Sequence, residues 1–476
     1  MQIVSLTFFA FIAVLFFALM LCGRVIKNET ANIKTYKAVM LCASYIFVLY
    51  ADIRFAAVLF AMSLVTWFCA QKGFTKPGVV FAVLCLGYFK YTNFFAKSFA
   101  DLLGRSDFNT LNIILPLGIS FYAFSAISYL VDVKRNKTEA RNLADVALYL
   151  SFFPKITSGP VQRSGEFFRQ TDEKRTVGWE SFSAGIQIFA FGAFKKLVLA
   201  DRLSVFVGQV YDAPAAFSWV TVLFAVVAYS LQIYFDVSGY SDMAIGVARI
   251  FDLHLPRNFN LPYISRNVTE LWKRWHISLS SWLQEYLYIS LGGNRKGKTR
   301  TYINLILTMV IGGIWHGASW NYILWGALHG GALAVHKLWV QFTNSNKKVH
   351  SNIANAVSTI TTFCFVSLSW VFFRCESTPQ AMAVLKQLFG FKAGIFHPYI
   401  WLFAAGGVLA VSVVIAKIRS RNITLAENRQ NTNPVEGFYP LLDLTKFWHL
   451  VIFFVFCGLI LGLCYTGGSP FIYGAY

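Results

Sequence analysis

Charge is what this 476-residue chain has least of: Asp, Glu, Lys and Arg together make up 13% of it, and only 22 residues are acidic. A soluble domain carries about 25% charged residues, so most of this surface cannot face water. Several motifs are missing too. There is no P-loop, because the G-x-x-x-x-G-K-[ST] spelling at Gly292 to Thr299 sits in a basic loop that no strand pattern precedes; there is also no G-x-G-x-x-G after a strand pattern, no H-E-x-x-H and no G-x-S-x-G. Nucleotide hydrolysis, zinc chemistry and serine-nucleophile chemistry therefore lack their parts. The eight cysteines are scattered, with no CxxC and no metal-ligand spacing, and most sit inside apolar runs. They read as small buried hydrophobes, and no metal is expected. The first apolar run, Ile3 to Cys22, is too long for a signal-peptide core and lacks a basic n-region and an A-x-A site. It reads as a retained membrane helix.

What is abundant is apolar sequence, at 56% hydrophobic residues and a mean hydropathy of +0.54. Runs of about 17 or more apolar residues can cross a bilayer core of about 30 Å. Candidates lie near 3–22, 37–51, 53–70, 77–95, 111–131, 178–199, 216–235, 354–373, 396–416 and 447–464. Segments 143–153, 238–251, 276–291, 301–315 and 321–340 are ambiguous between spans, re-entrant pieces and interfacial helices. The expectation is an all-α polytopic membrane protein of about 10–12 transmembrane helices, one continuous membrane body over 1–476. The net charge of +20 comes from Lys and Arg in short loops (23–36, 71–76, 132–141, 293–300, 342–350 and 417–429). That pattern sets orientation, with these loops cytoplasmic and residues 465–476 outside. No basic helix or RNA-binding module accompanies it, so nucleic acid is not an expected partner.

Polar residues inside apolar sequence mark where chemistry can live. Tyr234 to Gly246, YFDVSGYSDMAIG, carries Asp236 and Asp242. Carboxylates at membrane depth face a cavity or a partner, but Asp236-Val-Ser-Gly also reads as a helix break with an N-cap. Residues 255–300 follow, with two prolines, three tryptophans and His276 in WKRWHISLSSWL. Such a segment suits the headgroup layer, where a histidine can be interfacial or functional. The sharpest feature is GGIWHGASWNYILWGALHG, 312–330. From Tyr302 to Trp315 a helix reaches roughly 20 Å, short of the hydrocarbon thickness. The turn from Trp315 through His316 to Ser319 and Trp320 then lies within the membrane, where irregular backbone needs protein or a watery cavity around it. His316 there is a neutral imidazole suited to general-base work.

These segments, with LPLGISFYAFSAISYLVDV at 115–133, FFPKITSGPVQR at 152–163 and FGAFKKLVLADR at 191–202, resemble the membrane-bound O-acyltransferases. The likeness is to the bacterial branch of alginate and peptidoglycan O-acetyltransferases and the D-alanine teichoic-acid transferase, with the core motifs in 110–340. The resemblance implies a ring of tilted helices around a central tunnel, with a cytoplasmic funnel for a thioester donor. It places the family's invariant histidine on His316, a second histidine on His276, and an acidic tunnel motif on Asp236 and Asp242. Trp315 and Ser319 would support the turn. The C-terminal Phe471-Ile472-Tyr473-Gly474-Ala475-Tyr476 resembles a terminal hexapeptide whose tyrosine receives the acyl group. A phenolic oxygen can do so when a base is near. Two departures stand out: the last residue is Tyr rather than Phe, and Ser125 occupies a position where the family pattern has Gln.

The expected function is acetyl transfer from cytoplasmic acetyl-CoA, a donor substrate rather than a resident cofactor, to hydroxyls of a secreted polysaccharide or peptidoglycan. An SGNH-type extracytoplasmic transferase would be the partner, in the bacterial cytoplasmic membrane. Arg295, Lys296, Lys298 and Arg300 would either hold the donor's phosphates or only set topology. Two alternatives stay open: D-alanyl transfer from a carrier-protein thioester to teichoic acid, and a polysaccharide transporter. A transporter predicts inverted repeats with paired broken helices, and one broken hairpin is visible.

Overall fold

The computed structural model describes residues 4–105, 111–343, 351–426 and 442–467, with side chains of the last stretch of the 400s helix excluded beyond 415. The described residues are helical, with a single isolated bridge, Phe217 to Ile395, as their only β pairing. Helices run in the order α1 Leu6–Val25, α2 Glu29–Leu49, α3 Ile53–Gln71, α4 Thr75–Leu102, α5 Ile119–Lys134, α6 Leu143–Ser151, α7 Phe153–Ile156, α8 Ser164–Asp172 and α9 Trp179–Ala193. A π-helical segment, Phe194–Ala200, leads into α10 Asp201–Asp212, followed by α11 Trp219–Ile250, α12 Val268–Arg274, α13 Ile277–Trp282 and a second π segment, Leu283–Tyr288. The rest are α14 Lys298–His316, α15 Trp320–Thr343, α16 Asn352–Arg374, α17 Thr378–Phe389, α18 Ile400–Ala426 and α19 Phe447–Leu463.

Six of these stretches are long and apolar enough to cross a membrane: α1, α3, α4, α9 through α10, α11 and α16. Helices α18 and α19 contribute shorter apolar stretches. The protein is thus a multi-pass membrane protein. Large apolar side chains left exposed, such as Leu6, Val14, Leu84, Phe99, Val335 and Ile353, suit hydrocarbon rather than water. Helix α11, which carries Asp236 and Asp242, is the most enclosed of the six, with 78% of its apolar window buried against 11% for α4.

Two compact units emerge, residues 1–190 with 241–256, and 191–240 with 257–476. In the first, α9 and α11 cross at glycines: a Cβ on Gly185 would lie 2.5 Å from the Gly246 carbonyl oxygen, so only glycine allows this approach. Lys37 joins α6 to α8 through Asp145 (3.0 Å) and Asp172 (2.6 Å), and Arg141 takes the other oxygen of Asp172 at 2.8 Å.

The second unit is built on the α14–α15 hairpin. A Cβ on Gly313 would fall 2.2 Å from the Tyr322 carbonyl oxygen, and one on Gly326 would fall 2.4 Å from that of Met309. The two backbones therefore touch, and the connection shrinks to Gly317, Ala318 and Ser319. This is the predicted broken hairpin. One expectation fails: the Asp236-Val-Ser-Gly stretch does not break its helix, because α11 runs unbroken from Trp219 to Ile250. Gly239 is tolerated there as a contact point, since a Cβ would meet the Gly192 carbonyl oxygen at 2.7 Å.

Candidate active site

His316 is the last residue of α14, and the chain turns away at Gly317. It is buried, with 4% exposure, and rings close on it from three sides: Trp315 at 5.0 Å, Trp325 at 5.2 Å and Phe373 at 5.2 Å, all edge-on. Trp325 comes from α15 and Phe373 from α16, so three helices hold the imidazole. Gly317 is required because its Cβ would strike the Tyr322 ring at 2.2 Å. Asn321, just beyond the turn, donates to the Cys375 carbonyl (2.8 Å) and accepts from the Thr378 hydroxyl (2.8 Å). The turn is thereby tied to the α16–α17 connection. Ser319 Oγ accepts the Asn321 N–H at 3.3 Å, an N-terminal cap for α15.

His276 lies in the same unit, between the short helices α12 and α13, with φ +43° and ψ +53°. A non-glycine residue in the left-handed region is uncommon and costs about 1 kcal/mol or more. The surroundings enforce it: the Ile277 N–H donates to the Asn258 carbonyl (2.8 Å), and the Asn258 side-chain oxygen lies 3.1 Å from His276 Nδ1. That oxygen can only accept, so Nδ1 carries the proton and Nε2 the lone pair. Burial pushes the His276 imidazole down to about 3, because a charged ring has no water to solvate it. Ring contacts run from His276 to Phe259 (6.0 Å), Trp275 (5.1 Å), Trp370 (5.0 Å), Trp325 (5.5 Å) and on to His316 (5.2 Å). One continuous aromatic wall thus joins the two histidines.

A family profile described as MBOAT, membrane-bound O-acyltransferase family, matches residues 33–377. The chain belongs to the membrane-bound O-acyltransferase family. It is 36% identical over 420 residues to a peptidoglycan O-acetyltransferase of Helicobacter pylori, covering 80% of this chain and 78% of the relative. It is 37% identical over 469 residues to a probable alginate O-acetylase of Pseudomonas putida, covering 91% and 93%. A teichoic acid D-alanyltransferase of Bacillus subtilis is more distant, at 27% over 275 residues, covering 55% and 69%. The chain is accordingly an O-acyltransferase enzyme.

Within this acyltransferase the remaining expected residues separate. Asp236 is 1% exposed and pairs with Lys196 at 2.5 Å, while Lys196 also holds Asp201 at 2.8 Å. The π segment places Lys196 for this, as π turns inside α-helices often serve functional positions. Asp242 is buried on α11 but belongs to the first unit, whereas His316, His276 and Asp236 belong to the second. Arg295, Lys296, Lys298 and Arg300 are all exposed. They flank the start of α14, whose first turn contains no acid; cations there oppose the helix dipole by about 0.3–1 kcal/mol, so helix stability does not explain them. Tyr473 and the terminal hexapeptide lie outside the described residues, as do parts of the basic loops 342–350 and 417–429. The last described turn, at Tyr465, donates its N–H to the Leu197 carbonyl at 3.1 Å, next to Lys196.

Sequence reasoning missed Lys196, Asn258, Trp325 and His329. His329 is fully buried one turn beyond Trp325 and 4.9 Å from its ring. Ser369 spends its hydroxyl hydrogen on the Val366 carbonyl, so His329 Nε2–H must be the donor in their 2.8 Å bond. Its position in LWGALHG, four residues after a tryptophan on the hairpin helix, was the available signal.

Proposed function

We propose that this acyltransferase moves an acetyl group from acetyl-CoA on the cytoplasmic side to hydroxyls of a cell-surface or secreted polysaccharide or peptidoglycan. The observation that carries the reading is His316, a buried imidazole at the end of a glycine-packed hairpin, in a chain that two O-acetylating relatives match over 80% and 91% of its length. The D-alanyltransferase matches little more than half. In this mechanism His316 takes the proton of the attacking hydroxyl. The oxygen adds to the thioester carbonyl, the C–S bond breaks, and the proton passes to the departing thiolate. His276, neutral and fixed by Asn258, serves as a hydrogen-bonding residue rather than a proton carrier. Asp236 stays in its Lys196 pair, and Trp315 packs edge-on against the His316 ring.

The donor's phosphates meet Arg295, Lys296, Lys298 and Arg300 on the cytoplasmic face of the bacterial inner membrane. Tyr473 receives the acetyl as a phenolic ester and passes it to a secreted SGNH-type transferase. The experiment is a donor comparison with purified protein: radiolabelled acetyl-CoA against a D-alanyl carrier-protein thioester. Label from acetyl-CoA alone supports the reading. Label from the carrier alone replaces it with D-alanylation, and label from neither reopens the transporter alternative.

A further inference from the structure

Lys155 belongs to neither histidine's surroundings. It sits on the four-residue helix α7 in the first unit, in the FFPKITSGPVQR stretch, and is 4% exposed. Its ammonium lies over two ring faces, 3.9 Å from the Tyr149 centroid and 4.8 Å from that of Phe167. No hydrogen-bond acceptor among the described residues reaches Nζ; burial pushes the Lys155 ammonium well below its usual range, and the Glu166 carboxylate offsets part of that. A buried cation in that condition is costly unless something compensates it.

The space beside it is a small pocket lined by Lys155, Tyr122, Ser125, Phe121, Pro160 and Val161, with room for about one water-sized group. The Tyr122 hydroxyl is also buried without a hydrogen-bond partner among the described residues, and Ser125 spends its hydrogen on the Phe121 carbonyl at 3.1 Å. The pocket therefore presents an ammonium and a phenol, both donors, against a largely apolar wall. The backbone that frames it is rigid. A Cβ on Gly159 would meet Lys155 Cα at 2.5 Å, and Gly118, at φ +74°, packs directly on the Ile156 carbonyl.

We infer that this pocket binds a single small monovalent anion, a halide or the oxygen end of a short carboxylate, between Lys155 Nζ and the Tyr122 hydroxyl. An acceptor with no hydrogens of its own matches two donors. A water can be hydrogen-bonded here too, but being neutral it leaves the buried ammonium without a counter-charge, which an anion supplies.

The test uses the full-length protein in detergent, with thermal midpoints measured in chloride, bromide or acetate against gluconate at constant ionic strength. Crystals soaked in bromide supply an anomalous map. Wild type is expected to gain a few degrees, saturably, in the small anions, with an anomalous peak beside Nζ. Lys155→Met removes the charge and Ser125→Gln fills the pocket while keeping the amine; both are expected to abolish the gain. A response to acetate without one to halides assigns the carboxylate source. No anomalous peak together with no small-anion response, or an unchanged response in Lys155→Met, overturns the site.

Discussion

The Lys196 cluster yields a ranking of mutants that intuition about salt bridges would reverse. One cation is shared by two buried carboxylates, at 2.5 Å from Asp236 and 2.8 Å from Asp201. At an effective dielectric near 20, each attraction is on the order of 6 kcal/mol. The two legs of 2.5 and 2.8 Å together cap the separation of the carboxylate oxygens at 5.3 Å, so their mutual repulsion is at least about 3 kcal/mol on the same scale. Asp236→Asn gives up one attraction, but it relieves that repulsion and a desolvation cost of several kcal/mol. Its net effect on stability should stay within about 2 kcal/mol. Lys196→Met gives up both attractions and keeps the repulsion, a loss in the range of about 3–5 kcal/mol or more. The assay is the unfolding midpoint of detergent-solubilised, fluorescently tagged protein for the two single variants and the Lys196→Met/Asp236→Leu double variant. The double variant should recover part of the Lys196→Met loss. If Asp236→Asn is the more damaging single change, or the double variant is worse than either, the shared-cation account is wrong.

His276 makes stability depend on pH. Its native imidazole is held down to about 3 by burial, whereas the unfolded chain takes up a proton near 6.5. The unfolded state binds more protons between those values, so stability present above pH 6.5 is lost as pH falls, by roughly 1.4 kcal/mol per unit. Midpoints measured from pH 7.5 to 4.5 should show this slope in wild type and a shallower one in His276→Gln. Gly326→Ala, whose Cβ would meet the Met309 carbonyl at 2.4 Å, should separate the hairpin and lower both the midpoint and the activity; an unchanged midpoint would count against backbone contact there. Asn258→Leu should release the His276 ring and orphan the Ser278 N–H and hydroxyl that share the same oxygen, lowering turnover by about tenfold or more. Wild-type turnover in that variant would remove His276 from the mechanism.

Much of the architecture is legible from apolar run length alone, because a bilayer demands it. The hairpin turn was readable as well, since Gly312, Gly313 and Gly317 are spaced for close contact, but the helix before it runs the 19 residues from Lys298 to His316 and is longer than the one the sequence suggested from Tyr302. What misled was Asp236-Val-Ser-Gly. Those residue types cap and break helices in water, but here Lys196 neutralises the aspartate and Gly192 receives the glycine, so α11 continues. Neither partner is within 35 residues of Asp236 in the chain, and such pairings leave no local pattern. Asn258 and His329 escaped for a similar reason, as an asparagine earns its role only through the ring it fixes 18 residues away.

The central claim is that His316 moves acetyl from coenzyme A onto this chain and beyond it. The direct measurement is radiolabelled acetyl-CoA supplied to the cytoplasmic face of oriented proteoliposomes, followed by peptide mapping of the retained label. Wild type should carry acetyl on the C-terminal peptide containing Tyr473. His316→Ala should carry none, and Tyr473→Phe should lose it from that peptide. Label of equal amount and position in His316→Ala would contradict the account.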